Sequence, residues 1–340
     1  MNRTLHRHTF LWKSGMGFLA VFLIISVSNL SAEKPARPTS GIFFYFDNDF
    51  LNGTDRSYTG GFGLGWFSRD LSGDSSRGWL KWMPFVRSEG FSHHLSLSMG
   101  QRAYTPENIS IQEIIPYDRP YAGIFFLSFG FHSISRNAIH MVELNTGIVG
   151  PGSGGEQMQK LIHSMTGGVD PKGWHNQLQN ELVLQVFYSY RWRIAKLGQD
   201  GGLGLDLIQS ADLGGGNVYT YAGLGVLARA GWNLPGDFGG VHARPGGGGE
   251  PGLWGKEGIG FNIFAGINGQ TVLRNIFLDG STWRQSHRVE KHVFTGDASL
   301  GAVIRIWRLS FRFEQVYWTK KFKTESGAHS FGKFMLAIHF

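Results

Sequence analysis

The sequence predicts an all-β fold: a transmembrane antiparallel β-barrel of about twelve strands, with a short helix in one loop. Three observations lead there. Apolar residues alternate with polar or small ones along many short segments, up to the last residue of the chain, and a period of two is that of a strand. The chain has 340 residues, of which 50 are glycine and 14% aromatic, while only 17% are charged; ordinary soluble domains carry more charge and less glycine. Near the N-terminus, Arg3, Arg7 and Lys13 precede the apolar run Met16 to Val27, and Leu30-Ser31-Ala32 follows, which is the order of parts in a secretory signal.

The apolar run is too short for a comfortable membrane span. Residues 1–32 are therefore expected to be a signal peptide cleaved near Ala32, with 33–340 as one barrel domain; an uncleaved anchor is the other reading. Removing residues 1–32 takes away three basic residues and no acidic one, so the formal charge of +7 falls to +4. No cluster of Lys and Arg interleaves with aromatics, so no nucleic-acid partner is expected. With no cysteine, a disulfide scaffold, a thiolate zinc site and a cysteine nucleophile are excluded. Mean hydropathy is −0.14, far from that of a polytopic helical membrane protein.

Twelve segments carry the strand pattern: 41–49, 57–68, 92–102, 121–133, 137–149, 179–193, 202–211, 218–231, 259–273, 291–306, 308–319 and 330–340. In the first, Ile42, Phe44 and Phe46 oppose Tyr45, Asp47 and Asp49. In the second, Phe62, Leu64 and Trp66 oppose Gly61, Gly63 and Gly65. In the fifth, Val142, Leu144, Thr146 and Ile148 oppose Glu143, Asn145 and Gly147. In the eleventh, Leu309, Phe311 and Phe313 oppose Ser310, Arg312 and Glu314. Apolar outside with polar or glycine inside is the pattern of a lipid-facing wall; a soluble barrel would reverse it. The last segment places Phe334, Leu336, Ile338 and Phe340 on one face. A terminal aromatic on such a strand resembles the signal read by the barrel assembly machinery, which makes that machinery an expected partner of Phe340. An ordinary sandwich strand ending the chain is the alternative.

An even strand count returns both termini to the periplasm. The turns Ser135-Arg136-Asn137 and Gln199-Asp200-Gly201 are then periplasmic and suitably short. The segment Asn233 to Gly258, which contains Gly246 to Gly249, falls on the same side and is too long for such a turn. It reads either as a flexible linker or as a sign that the count is off by two strands.

Three polar segments fall at the opposite, extracellular mouth. The first is Asp47-Asn48-Asp49 with Gly53 to Thr59. Its carboxylates and amides suit a hard cation such as Ca²⁺, which takes oxygen ligands; they also suit a plain hairpin loop. Alternation turns Asp49 and Thr59 to the same inward face. The second is Glu156 to Met165, the one convincing short amphipathic helix. Met158, Leu161, Ile162 and Met165 form an apolar stripe, while Glu156, Gln159 and His163 line up on the other side. A neutral histidine is the natural general base near neutral pH, and a lone surface histidine is the plain alternative. The third runs from Gln101-Arg102 through Tyr104-Thr105-Pro106 to Asp118-Arg119-Pro120-Tyr121-Ala122-Gly123, where Arg102 and Arg119 suit phosphate groups. No G-x-S-x-G elbow and no HExxH motif is present.

Taken together, "DND", "TDRSYTGG", "YTP", "DRPYAG", "GIVGPGSGGEQMQKLIH", "PKGWHNQLQNE" and "RNIFLDG" resemble, in order and along nearly the whole chain after the signal, the outer-membrane lipid A 3′-O-deacylases of the LpxR type. The resemblance implies a twelve-stranded barrel with its site at the extracellular side, between the wall and a loop helix. It implies a Ca²⁺-dependent ester hydrolysis in which a histidine activates water and the cation stabilises the oxyanion. Carried over by motif, His163 is the base and Gln159 its helix neighbour; Asn48 and Thr59 join them, and Asp49 is the metal ligand. A lysine of the family's third strand is absent, leaving Arg102 or Gln101 to meet substrate phosphate. A glutamate expected after the histidine is also absent, with Glu156 upstream and Asp170 nearby. The partners so implied are lipid A of lipopolysaccharide and outer-membrane lipids. An outer-membrane phospholipase and a non-catalytic pore or anchor are the competing functions.

Overall fold

A computed structural model of the chain describes residues 40–48, 60–72, 90–199, 201–240, 244 and 258–340. The signal segment, Asp49 and Thr59 lie outside the described residues. The twelve expected segments are twelve strands: β1 Gly41–Asn48, β2 Gly60–Phe67, β3 Ser92–Tyr104, β4 Ala122–Ile134, β5 Ala138–Val149, β6 Glu181–Gly198, β7 Leu203–Gly216, β8 Tyr219–Trp232, β9 Ile259–Asn275, β10 Phe294–Ile306, β11 Leu309–Trp318 and β12 His329–His339. Each pairs antiparallel with its neighbours, and β1 closes on β12 from Gly41 opposite His339 to Asn48 opposite Gly332. Closure leaves no free sheet edge, the condition for crossing a membrane with strands. Both ends of the described chain lie at the same end of the barrel.

Alternation sorts the wall as expected. Phe44, Leu64, Met99, Phe129, Leu144, Leu184, Phe261 and Phe311 point away from the lumen and are exposed. The glycine face of β2 has a specific cause. A side chain at Gly63 would start 2.4 Å from the Tyr45 ring, and one at Gly65 would start 2.3 Å from the Phe43 ring, so glycine makes room for the β1 aromatics inside the barrel. The lumen is not polar throughout, however. Near the end opposite the termini it holds Tyr104, Ile124, Phe126, Phe187, Tyr219, Tyr221, Phe277 and Phe331 in one buried cluster.

That aromatic layer is capped by loops. The Tyr104 and Phe277 rings stack at 4.1 Å; Phe277 belongs to α2 (Ile276–Asp279), which follows β9. The Arg119 guanidinium sits 5.6 Å from the Tyr104 ring and 5.7 Å from that of Phe322, and burial pulls its pKa down. The His287 Nε2–H donates to the Asp118 carbonyl at 2.6 Å, and Thr324 Oγ1 donates to the Tyr117 carbonyl. Three connections, β3–β4, β9–β10 and β11–β12, thus interlock over the mouth.

The strand count is settled by the closed barrel, and the Gly246 to Gly249 stretch of the linker reading lies outside the described residues. Twelve strands stand, and the described part of residues 233–258 enters the barrel. Asn233 turns the chain back with a left-handed φ of 50°, a conformation that asparagine tolerates better than most residues. Wall arginines then take its carbonyls. Arg193 Nη2 donates to Asp237 O at 2.6 Å and Arg191 Nη1 to Gly239 O at 2.9 Å, and Arg229 bonds both the carbonyl and the carboxylate of Asp237. Phe238 packs among Ile134, Ile139, Met141 and Ile208. Further along, Arg244 pairs with Glu143 of β5 at 3.0 Å.

Candidate active site on the membrane side of the wall

The ends of β1 to β4 form a row. Register places Asn48 opposite Gly60, Gly60 opposite Ala103, and Ala103 opposite Gly123. By alternation these positions share the face of Phe44, Leu64, Met99 and Leu127, which points away from the lumen. Those four are 38–50% exposed, yet Asn48 is 7% and Ala103 0% exposed. Gly60 leaves space for the neighbouring amide: its missing side chain would begin 3.2 Å from Asn48 Nδ2.

Ala103 and Gly123 are covered by the connection between β5 and β6, which contains α1 (Gly155–Thr166). The docking uses small residues. A side chain at Gly123 would meet Ser153 Oγ at 2.2 Å and Gly155 Cα at 3.0 Å. The Gly150 N–H donates to Gly123 O at 2.9 Å, and the Gln101 amide donates to the Ser153 carbonyl. Met158 packs with Ala103, Ile109, Tyr121 and Trp174. Left-handed glycines bound the helix, Gly154 at φ 71° and Gly167 at φ 75°.

The helix is the expected one, but its buried side is not. Gly155, Met158, Gln159 and His163 are buried and Ile162 packs beside Met158, while Leu161 and Met165 of the expected apolar stripe are 61% and 77% exposed. The spacing i, i+3, i+4, i+7, i+8 still describes one face. It is rotated so that two polar residues turn inward, because they find partners there. Trp174 Nε1–H donates to Gln159 Oε1 at 2.6 Å. His163 Nδ1 lies 2.5 Å from the Val169 carbonyl. A carbonyl only accepts, so Nδ1 carries a proton and donates it to Val169 O. Gly168 permits this turn: a side chain there would lie 2.9 Å from His163 Cγ.

Glu156 stands apart from these two. It pairs with Lys160 at 2.7 Å on a half-exposed flank, and its hydrogen bond and charge hold the ammonium above the usual lysine range. It occupies the first turn, next to β4 and three strands from β1. Asp170 is exposed. Arg102 faces the lumen, on the other side of the wall from Gln101 and Ala103. Its Nη1 donates to the Arg244 carbonyl, and its guanidinium lies 5.8 Å from the Tyr45 ring and 5.6 Å from that of Phe126. Among the described residues no group of three or more His, Asp or Glu gathers to hold a metal. The buried oxygen donors at the end of β1 are Asp47 and Asn48, 2% and 7% exposed. Sequence reasoning assigned no role to Trp174 or Val169. Trp174 sits inside a quoted motif that could have flagged it; Val169 acts through its backbone, which no residue type announces.

A family model described as "Outer membrane protein LpxR" matches residues 18–340. Among solved structures, LpxR from Salmonella typhimurium superposes with a TM-score of 0.73 at 19% identity, covering 88% of this chain and all of that one. The β-domain of the Bordetella autotransporter BrkA gives a TM-score of 0.45 at 6% identity, covering 90% of this chain and all of that one. No curated protein sequence matches the chain. A match over nearly the full length, with twelve strands closed into a barrel, places the chain in the LpxR family of outer-membrane proteins.

Proposed function

We propose that this protein is a lipid A deacylase that hydrolyses the 3′-O-linked acyloxyacyl ester, with Ca²⁺ as its cofactor and the site at the extracellular rim. The observation that carries the reading is the buried pair on α1. His163 has its Nδ1–H fixed by the Val169 carbonyl, and Gln159 keeps a buried Nε2 donor without a hydrogen-bond partner among the described residues, both on a helix docked to the membrane side of the wall.

The chemistry follows from those atoms. His163, steered by its Nδ1–H bond to Val169 O, takes a proton from water through Nε2 as the water attacks the ester carbonyl, and returns it to the sugar 3′ oxygen as the bond from that oxygen to the acyl carbon breaks and the fatty acid leaves. A positioned base of this kind contributes about 10²–10⁴-fold. Gln159, with Oε1 fixed by Trp174, turns its amide N–H toward developing negative charge, a role worth about 10²–10³-fold for one donor. Asn48 orients the substrate from β1. The helix rises about 12 Å from Gly155 to His163, and three strand spacings separate Gly123 from Asn48, about 14 Å. The two lengths match, so a helix running from Gly123 along the row, starting where α1 docks on β3 and β4, would bring His163 toward Asn48.

Asp49 and its neighbour Asn48 are the oxygen donors that would hold the cation, a donor type suited to Ca²⁺, with the hairpin Thr59 joining the catalytic group; Asp47 shares the lumen face of Arg102. When bound, the cation would stabilise charge on the attacked oxygen. Glu156, engaged by Lys160, is a weaker candidate ligand. Arg102 belongs to the lumen, and Gln101, on the membrane side, gives its amide to the Ser153 carbonyl. Lipid A occupies the outer leaflet, and a site on the wall's membrane side reaches its esters without extracting the lipid. The cap and the inserted segment speak against a pore. Phe340, whose N–H ties to Ser40 O at 2.8 Å, is the residue the barrel assembly machinery would read.

The test is mass spectrometry of lipid A from cells expressing wild type or His163→Ala. Wild type is expected to remove the 3′ chains, and the variant to leave them in place while still migrating as a folded barrel. Equal removal in both would take His163 out of the mechanism. A chelator is expected to abolish activity and added Ca²⁺ to restore it; full activity in excess chelator would dismiss the metal. Fatty-acid release from phosphatidylethanolamine, with lipid A unchanged, would select the phospholipase reading instead.

A further inference from the structure

We infer that α1 is a membrane-embedded lid, whose outer flank sits among the acyl chains of the leaflet beside the barrel. Two observations carry this. First, the helix docks through Gly123 and Ala103, positions on the lipid-facing side of the wall. An element lying there has lipid, not lumen, beside it. Second, its free surface carries large apolar side chains. Leu161 and Met165 are 61% and 77% exposed, and Val169 just beyond is 56% exposed; Gln157, Lys160, Ser164 and Thr166 make up the rest of the helix's exposed surface.

In water, three large apolar side chains left open on one short segment form an unfavourable patch. In lipid they are ordinary. The lipid-facing band of the wall includes β6, the strand that follows this connection, where Leu182 and Leu184 are 61% and 62% exposed. An amphipathic helix at such a boundary buries its apolar flank about 5–10 Å into the headgroup and acyl region. The occupant of the flank is therefore the acyl region of the membrane, and the buried Gln159 and His163 lie between that lipid and the wall. The inference rests on the lipid-facing wall and not on the esterase reading, so a failed deacylase assay leaves it standing.

The chain has no cysteine, which makes single labels specific. Leu161→Cys, Met165→Cys and Lys160→Cys, each carrying an environment-sensitive fluorophore, are reconstituted in vesicles of phosphatidylethanolamine and phosphatidylglycerol, with barrel folding checked by heat-modifiable gel mobility. The labels at 161 and 165 are expected to be quenched several-fold more by acyl-chain-brominated lipid than the label at 160, and to be shielded from aqueous iodide. Iodide quenching at 161 and 165 equal to that at 160 would place the flank in water and overturn the lid. A Leu161→Glu/Met165→Glu double variant that folds and still gives the wild-type lipid quenching at a label on Val169→Cys would overturn it as well.

Discussion

At the scale of single residues, the described structure shows side chains held at odds with their ordinary chemistry. Lys321, in the β11–β12 connection over the lumen, lies 5.0 Å from the Trp318 ring. Burial pushes its pKa from 10.5 down to about 8, against the pull of Asp297 and Glu325. The sign of the linkage is definite. Below about 8 both folded and unfolded chains carry the charge, and the folded state bears the full burial penalty. Between about 8 and 10.5 the folded state gives up its proton first, so stability rises with pH; above that range nothing is left to gain. Lys321→Met is therefore expected to stabilise the barrel at pH 7 by about 1–2 kcal/mol. The advantage should narrow through that window and vanish above it. The unfolding midpoint in urea at pH 7 and pH 10.5 checks this, and an equal advantage at both would refute it.

At the scale of elements, the strands were legible and the helix was half legible. Twelve alternating segments sufficed for twelve strands because a lipid-facing wall forces one face of every strand to be apolar, whatever its partners. The helix announced its existence through Met158, Leu161, Ile162 and Met165, but not its orientation. That depends on Gly123 and Ala103, more than thirty residues away, and on Trp174 and Val169 offering polar partners to Gln159 and His163. The inserted segment was illegible for a related reason. In its described part, only wall arginines on β6 and β8 reveal that the carbonyls of Asp237 and Gly239 have partners. The same orientation argument yields a prediction. Gly168 lets the chain double back under the imidazole, and a methyl there would start 2.9 Å from His163 Cγ. Gly168→Ala should tilt the ring away from its wall-facing position without touching any strand. A loss of about 10²-fold in deacylation is expected, the size typical of a misplaced catalytic group, with the heat-modifiable mobility of wild type retained. Unchanged activity would mean that the contact between Gly168 and the ring does not set the orientation of His163.

At the scale of the whole molecule, described residues reach into the barrel from both ends. Loops interlock over the aromatic layer near α1, and from the other end the segment after β8 is clamped by Arg191, Arg193 and Arg229. Asp237 is the key of that clamp. Its carboxylate meets Arg229, which also bonds Asp206 at 2.6 Å, and Arg193 shares Asp206 at 3.0 Å. Two buried arginines on one aspartate need the second carboxylate, because stranding a buried charge costs about 3–5 kcal/mol. Asp237→Ala should therefore lower the thermal midpoint of the barrel measurably, while planar bilayers holding either wild type or variant carry no steady current, since the aromatic layer and its cap lie at the other end and are untouched. The two readouts separate two claims. A variant as heat-resistant as wild type would mean that the clamp does not stabilise the fold. Steady channel currents from the wild type would mean that the lumen is open, and a pore would then account for the barrel better than an enzyme built on its membrane side.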